Sequence, residues 1–206
     1  MSAALFVSGC SGSSGEEQPA GVAARQLCDG TLDAEATAAV ERLSGTKQFT
    51  ELTGTNESGE PNKFSVARAV KHLHDETTRR SRCNIYKASG DNDFPVLQIQ
   101  FYAAKQHPQP LKEATRNLVP FAVGTYAATG TNGADLYFAC TTGGTANSFI
   151  GNAQYVKGEM TSSFSALRST SDAREHMVIL NSVARAVAAK AGCAAEARLP
   201  AKVPAA

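Results

Sequence analysis

Tryptophan is absent from this chain, and aromatic residues make up only 7% of it. That scarcity argues against a surface for stacking sugars or bases, since both need exposed aromatic platforms. Charge of one sign is also lacking. The formal net charge is +1 and no long Lys/Arg block occurs, so no broad face for nucleic acid is expected. The densest basic patch, Arg79-Arg80-Ser81-Arg82, reads as a solvated helix end, where cations suit the helix dipole. Long apolar runs are missing too. A membrane-spanning helix needs ~20 mainly apolar residues, and every apolar stretch after the amino end is broken by polar or charged ones.

Motifs that carry chemistry are equally scarce. There is no C-x-x-C pair, no H-E-x-x-H and no G-x-S-x-G elbow. His72 and His74 stand two apart and cannot share a metal on one helix. His72 and Glu76, one turn apart, read as a surface ion pair. His107 falls in a proline-rich loop and His176 on the polar side of the last helix. Asp91 and Asp93 lack the later ligands of a calcium loop. The glycines around Gly124 and Gly143-Gly144 lack the lysine of a phosphate loop and read as turns. No catalytic residue, cofactor site or metal site is therefore assigned.

What is present begins at the amino end. Val7-Ser8-Gly9-Cys10 has the shape of a lipobox: an aliphatic residue, two small ones, then cysteine. The small side chains admit a peptidase, and the thiol accepts the acyl group. Cys10 is thus the expected lipidation site, followed by a Ser/Gly-rich tether. The stretch before it has no Lys or Arg and falls short of the apolar core of roughly 7–15 residues that a signal peptide needs. The true start is expected upstream. These features place the chain on the outer face of the cell membrane, with diacylglyceryl attachment as its membrane contact.

Cys28, Cys83, Cys140 and Cys193 remain. An even number outside the cytoplasm suggests disulfides, and four cysteines allow three connectivities. Pairing in sequence order and the nested Cys28–Cys193 with Cys83–Cys140 both stay open.

Apolar spacing predicts a first helix over 31–44, with Leu32, Ala36, Ala39, Val40 and Leu43 on one face and Gly45 after its end. Thr31 or Asp33 caps its start. A short edge strand follows over 47–53. A second helix is predicted over 62–80, with Phe64, Ala67, Val70 and Leu73 as its buried stripe. Strands are predicted over 83–88 and 94–103; in the latter Leu97, Ile99 and Phe101 alternate with Gln98, Gln100 and Tyr102. That alternation implies an antiparallel sheet with one wet face. Strands over 121–129, 134–142 and 154–164 make a meander, with Asn132-Gly133 as its strongest turn signal. The last helix spans 171–191, opening on an Asp172/Glu175 capping box.

The expected architecture is α+β: an antiparallel sheet of five to six strands, with the N-terminal and long C-terminal helices packed on one face and disulfide-stapled. Residues 1–26 form signal segment, lipobox and tether, 27–193 one domain, and 194–206 a disordered tail.

Leu27-Cys28-Asp29-Gly30-Thr31-Leu32, Arg82-Cys83-Asn84-Ile85-Tyr86, Leu136-Tyr137-Phe138-Ala139-Cys140 and Ala191-Gly192-Cys193 resemble a family of secreted actinobacterial lipoproteins, chiefly streptomycete. The resemblance runs from Leu27 to Cys193. It implies paired cysteines and an anchor on Cys10, and carries over no catalytic residue. The first pair also resembles a broader actinobacterial lipoprotein domain, which implies Cys28–Cys83 and leaves Cys140–Cys193. The functional expectation is a binding or interaction module of the cell envelope, contacting an envelope protein or a small apolar ligand. The alternative is an extracytoplasmic enzyme with a site built from dispersed residues.

Overall fold

The computed structural model describes residues 21–57, 59–89, 94–113, 118–163 and 173–205. Cys10 and the segment up to Ala20, Asp91 to Asp93, and Asp172 of the expected capping box lie outside the described residues. Residues 21–26, read as the end of the tether, instead belong to the fold: Val22 and Phe49 exchange backbone hydrogen bonds at 2.7 and 3.0 Å, and Ala24 is fully buried.

Among the described residues, seven strands form one antiparallel sheet: β1 (Phe49–Glu51), β2 (Cys83–Lys87), β3 (Leu97–Ala104), β4 (Val119–Pro120), β5 (Tyr126–Gly130), β6 (Gly133–Thr142) and β7 (Ala153–Ser162). Their order is β1-β2-β3-β7-β6-β5-β4. The chain is α+β as expected, with one strand more than the five to six foreseen. The extra strand is β4, a two-residue piece that carries no alternation to read. It is split from β5 at Gly124, whose φ of +60° and approach to the Tyr137 carbonyl, 2.4 Å from where a Cβ would stand, exclude a side chain. Gly130 pairs with Gly133, so Thr131-Asn132 form the two-residue loop between β5 and β6.

Four α-helices are described: α1 (Ala34–Ser44), α2 (Val66–Lys71), α3 (Ala173–Lys190) and α4 (Ala194–Ala197). None of the described helices is long and apolar enough to cross a membrane. Asp33 caps α1 by accepting from the Ala36 N–H at 2.9 Å, and Gly45 leaves it in the left-handed region. All five expected stripe residues of α1 are buried.

The helices do not simply share one layer. α3 lies against β5, β6 and β7, while α1 packs mainly on α3 and α2 bridges α3 and β3. Enclosed on several sides, α3 is buried continuously from His176 to Ala184. Gly158 of β7 lets this helix approach: a Cβ there would stand 2.7 Å from the Phe101 ring and 3.2 Å from Leu180. Ser182 of α3 donates to the Thr31 carbonyl and accepts from the Asp33 N–H, tying α3 to the start of α1. His176, expected on a polar side, is fully buried, since α3 is packed by α1 and α2 as well as by the sheet.

The second helix is far shorter than the expected 62–80, ending at Lys71. Continuing it would require the Leu73 and His74 carbonyls to accept from Thr77 and Thr78. Instead Leu73 O accepts from Ala103 N of β3 at 2.8 Å, and His74 O accepts from Ile150 N at 2.9 Å. Tertiary bonds thus take the acceptors a helix needs. In the expected stripe Ala67 is exposed and Ala69 is buried.

The stretch read as a disordered tail is ordered up to Ala205. Residues 194–197 form α4, Val203 is buried, and the Pro200 and Val203 carbonyls accept from Asn181 and Arg174 at 2.9 Å each. Few apolar residues and two prolines hid this docking, which depends on donors from α3.

Two disulfides close the described fold, Cys28–Cys83 and Cys140–Cys193, each with Cα atoms 5.3 Å apart. The pairing implied by the family resemblance is the one present; the nested alternative is not. The first ties the entry of α1 to β2, the second ties β6 to the end of α3.

Candidate functional site

The helices cover the sheet face carrying Phe101, Val156 and Phe138. The opposite face carries the alternate residues of the same strands. Register places four of them in one row: Tyr102 of β3 beside Lys157 of β7, Lys157 beside Tyr137 of β6, and Tyr137 beside Tyr126 of β5. The next row is Gln100, Glu159 and Asp135.

Lys157 organises the face. Its side chain is only 11% exposed, and its Nζ lies 2.9 Å from Asp135 Oδ1 and 3.7 Å from Glu159 Oε1. The ammonium also lies 5.6 Å and 5.7 Å from the ring centroids of Tyr102 and Tyr137. Burial by itself would lower the lysine pKa; hydrogen bonds with Asp135 and Tyr102 outweigh it and raise the pKa above the usual lysine range. Asp135 and Glu159 stand directly opposite each other, and Lys157 bridges that like-charge pair. Burial raises the Tyr126 and Tyr137 phenols, which stay protonated. Their rings meet edge to face, centroids 5.7 Å apart. Arg80 stacks over Tyr102 at 4.2 Å. Gln100 Nε2 donates to Glu159 Oε2 at 2.8 Å. An open hollow of about 260 Å³ continues the face, bordered by Leu118, Tyr126, Asp135, Glu159 and Thr161.

The Lys157 ammonium is held protonated by these partners. A catalytic amine must lose its proton to attack, and Lys157 is held against that. The arrangement is therefore suited to recognition by fixed charge and aromatic edges.

Other titratable groups have structural tasks. His72, read as a surface partner of Glu76, is 2% exposed. Its Nδ1 bonds Asp75 Oδ2 at 2.6 Å, and its Nε2 lies 2.9 Å from Glu60 Oε2, close but out of line for a hydrogen bond. His74 Nδ1 reaches the Ile150 and Gly151 carbonyls and pins the 143–151 loop. His107 packs edge-on against Tyr155. Among the described residues, the one grouping with three metal-type donors is Cys28, Glu51 and Cys83. Its sulfurs are bonded to each other and offer no thiolate, so the set fits no metal. Glu51 instead accepts from the Cys28 N–H at 3.2 Å, and burial raises its pKa.

Sequence spacing identified the wet alternation of β3 but not the row through Lys157. The signal was present, since Tyr102, Tyr137 and Lys157 each occupy a polar alternate position. What was missing was the placement of β7 between β3 and β6. Arg79 and Arg80, read as a helix end, do end a helix, the single 3-10 turn Thr77–Arg79 that follows α2 rather than the long second helix expected, and Arg82 leads into β2.

Fold and face together define a disulfide-stapled α+β domain with a polar, aromatic sheet face. Compared with protein-family models, curated proteins and solved structures, the chain matches none.

Proposed function

We propose that this chain is a binding module of the cell envelope, held on the outer face of the membrane by a lipid on Cys10, and that the sheet face around Lys157 receives a partner protein. The carrying observation is the row Tyr102–Lys157–Tyr137–Tyr126, in which the buried, ion-paired Lys157 holds the half-exposed Tyr102 and Tyr137 in place, and tyrosine is a residue type that anchors protein interfaces. The two disulfides are compatible with an extracytoplasmic location, and the Val7-Ser8-Gly9-Cys10 motif supplies the anchor. A protein suits this face better than a small apolar ligand, because its hollow is open and bordered by two carboxylates.

The test expresses the gene with its upstream DNA in its own host. Cells are fractionated and the mass of the Cys10 peptide is measured. A diacylglyceryl-modified Cys10 in the membrane fraction is expected. A photo-crosslinker at Thr161, exposed beside the same hollow, should then capture a partner that the same protein carrying Tyr102→Ala/Tyr137→Ala fails to retain. An unmodified Cys10 in the cytosol overturns the anchor; equal capture by both forms overturns the face.

A further inference from the structure

At the β1–β2 end of the sheet lies a half-enclosed cleft of about 160 Å³. Four arginines line it, Arg68, Arg79, Arg80 and Arg82, together with Asn84 and Glu60 among others. Most of these guanidiniums are positioned by backbone carbonyls. Arg68 donates to the Pro61 and Lys63 carbonyls, Arg80 Nε to the Asp75 carbonyl at 3.2 Å, and Arg82 Nη2 to the Thr77 carbonyl at 2.7 Å. A carbonyl orients a guanidinium without cancelling its charge.

The nearby carboxylates are engaged elsewhere. Glu60 pairs with Lys71 Nζ at 3.1 Å and faces His72. Asp75 bonds His72 at 2.6 Å and reaches Arg79 only at 3.8 Å. The cleft therefore gathers more positive than negative charge. Burial lowers the Arg80 pKa; Tyr102 opposes it, and the neighbouring Arg82 cation adds a smaller lowering. Arg82 Nε is buried without an acceptor, a costly state that a small rotation towards a bound oxygen would relieve. Asn84 accepts from Gln98 through its carbonyl oxygen, so its amide N–H group adds a donor type to the lining.

We propose that this cleft binds a phosphate-type oxyanion. One carboxylate would be satisfied by a single guanidinium fork, whereas a tetrahedral dianion presents oxygens to several forks at once. Arg80 links the cleft to the Lys157 row by stacking over Tyr102, while Arg68, Arg79 and Arg82 belong to the cleft; binding there does not depend on the lipid anchor or on a protein partner.

The test uses the full chain carrying Cys10→Ser, so that no acyl chain contributes to membrane binding. Inorganic phosphate is titrated calorimetrically at constant ionic strength, with chloride as reference. Saturable binding is expected, weakened at least about tenfold in Arg79→Gln/Arg82→Gln, in line with the loss of two charge-assisted contacts. Circular dichroism checks that this variant is folded; Arg79→Gln alone, an exposed change, is the second variant and should weaken binding to a smaller degree. Vesicles of phosphatidylglycerol and of phosphatidylcholine distinguish the source of the group. Phosphate-competed binding to the anionic vesicles identifies a lipid headgroup, while binding of phosphate without vesicle binding identifies a soluble phosphate. Phosphate acting no differently from chloride, or binding equally to both variants and the parent, overturns the proposal.

Discussion

Lys157 shows how a charged residue is kept inside a sheet face. It bridges Asp135 and Glu159, which face each other across β6 and β7. Replacing it with alanine leaves two carboxylates opposed without a cation. Lys157→Ala should cost about 2 kcal/mol, less than a fully buried pair because Asp135 is partly exposed, and should lower the urea midpoint accordingly. Glu51 makes the opposite case. Burial raises its folded pKa above the unfolded value, so the folded state binds its proton more tightly. Its contribution is therefore most favourable below the unfolded pKa and is lost as pH rises through the folded pKa. Glu51→Gln keeps an acceptor for the Cys28 N–H and removes the proton equilibrium. Stability curves measured from pH 4 upwards should fall less steeply in Glu51→Gln than in the parent; parallel curves would show that Glu51 does not titrate differently on folding.

Elements in this fold end where tertiary bonds overrule local preference. The α1 pattern was legible because its cap, stripe and terminal glycine all lie within one short segment. The end of α2 was not, because the Leu73 and His74 carbonyls are claimed by β3 and the 143–151 loop, distant in sequence. The contact of α3 with the sheet depends similarly on Gly158. Gly158→Ala would drive a methyl group into Phe101 and Leu180, both in the core. Overpacking of this kind costs about 1–3 kcal/mol, seen as a lowered thermal midpoint with the sheet signal in circular dichroism retained below it.

For the whole molecule, the disulfides fasten the two parts that the sheet order separates. Cys28–Cys83 holds the β1–β2 side, and Cys140–Cys193 holds β6 to the end of α3. Their sequence separations are 55 and 53 residues, so each closes a long loop. On the chain-entropy account each stabilises the fold by about 4 kcal/mol. Cys140→Ala/Cys193→Ala should lose about that amount in denaturant titration. Peptide mapping without reductant should recover the two linked pairs, and a Cys28–Cys193 peptide would contradict this pairing.

Local sequence determined the α+β class, the first and last helices, the alternation of β3 and the even set of cysteines, because each signal lies within a few turns or one strand. The Cys10 motif is equally local and stands as an expectation. Only the tertiary structure decided that β7 inserts between β3 and β6, that Lys157 lies between Tyr102 and Tyr137 in one row, and that the arginines after α2 gather around a cleft. Those features depend on pairings between residues tens of positions apart, where hydrogen-bond register and competition for backbone acceptors outweigh the preferences of any single segment.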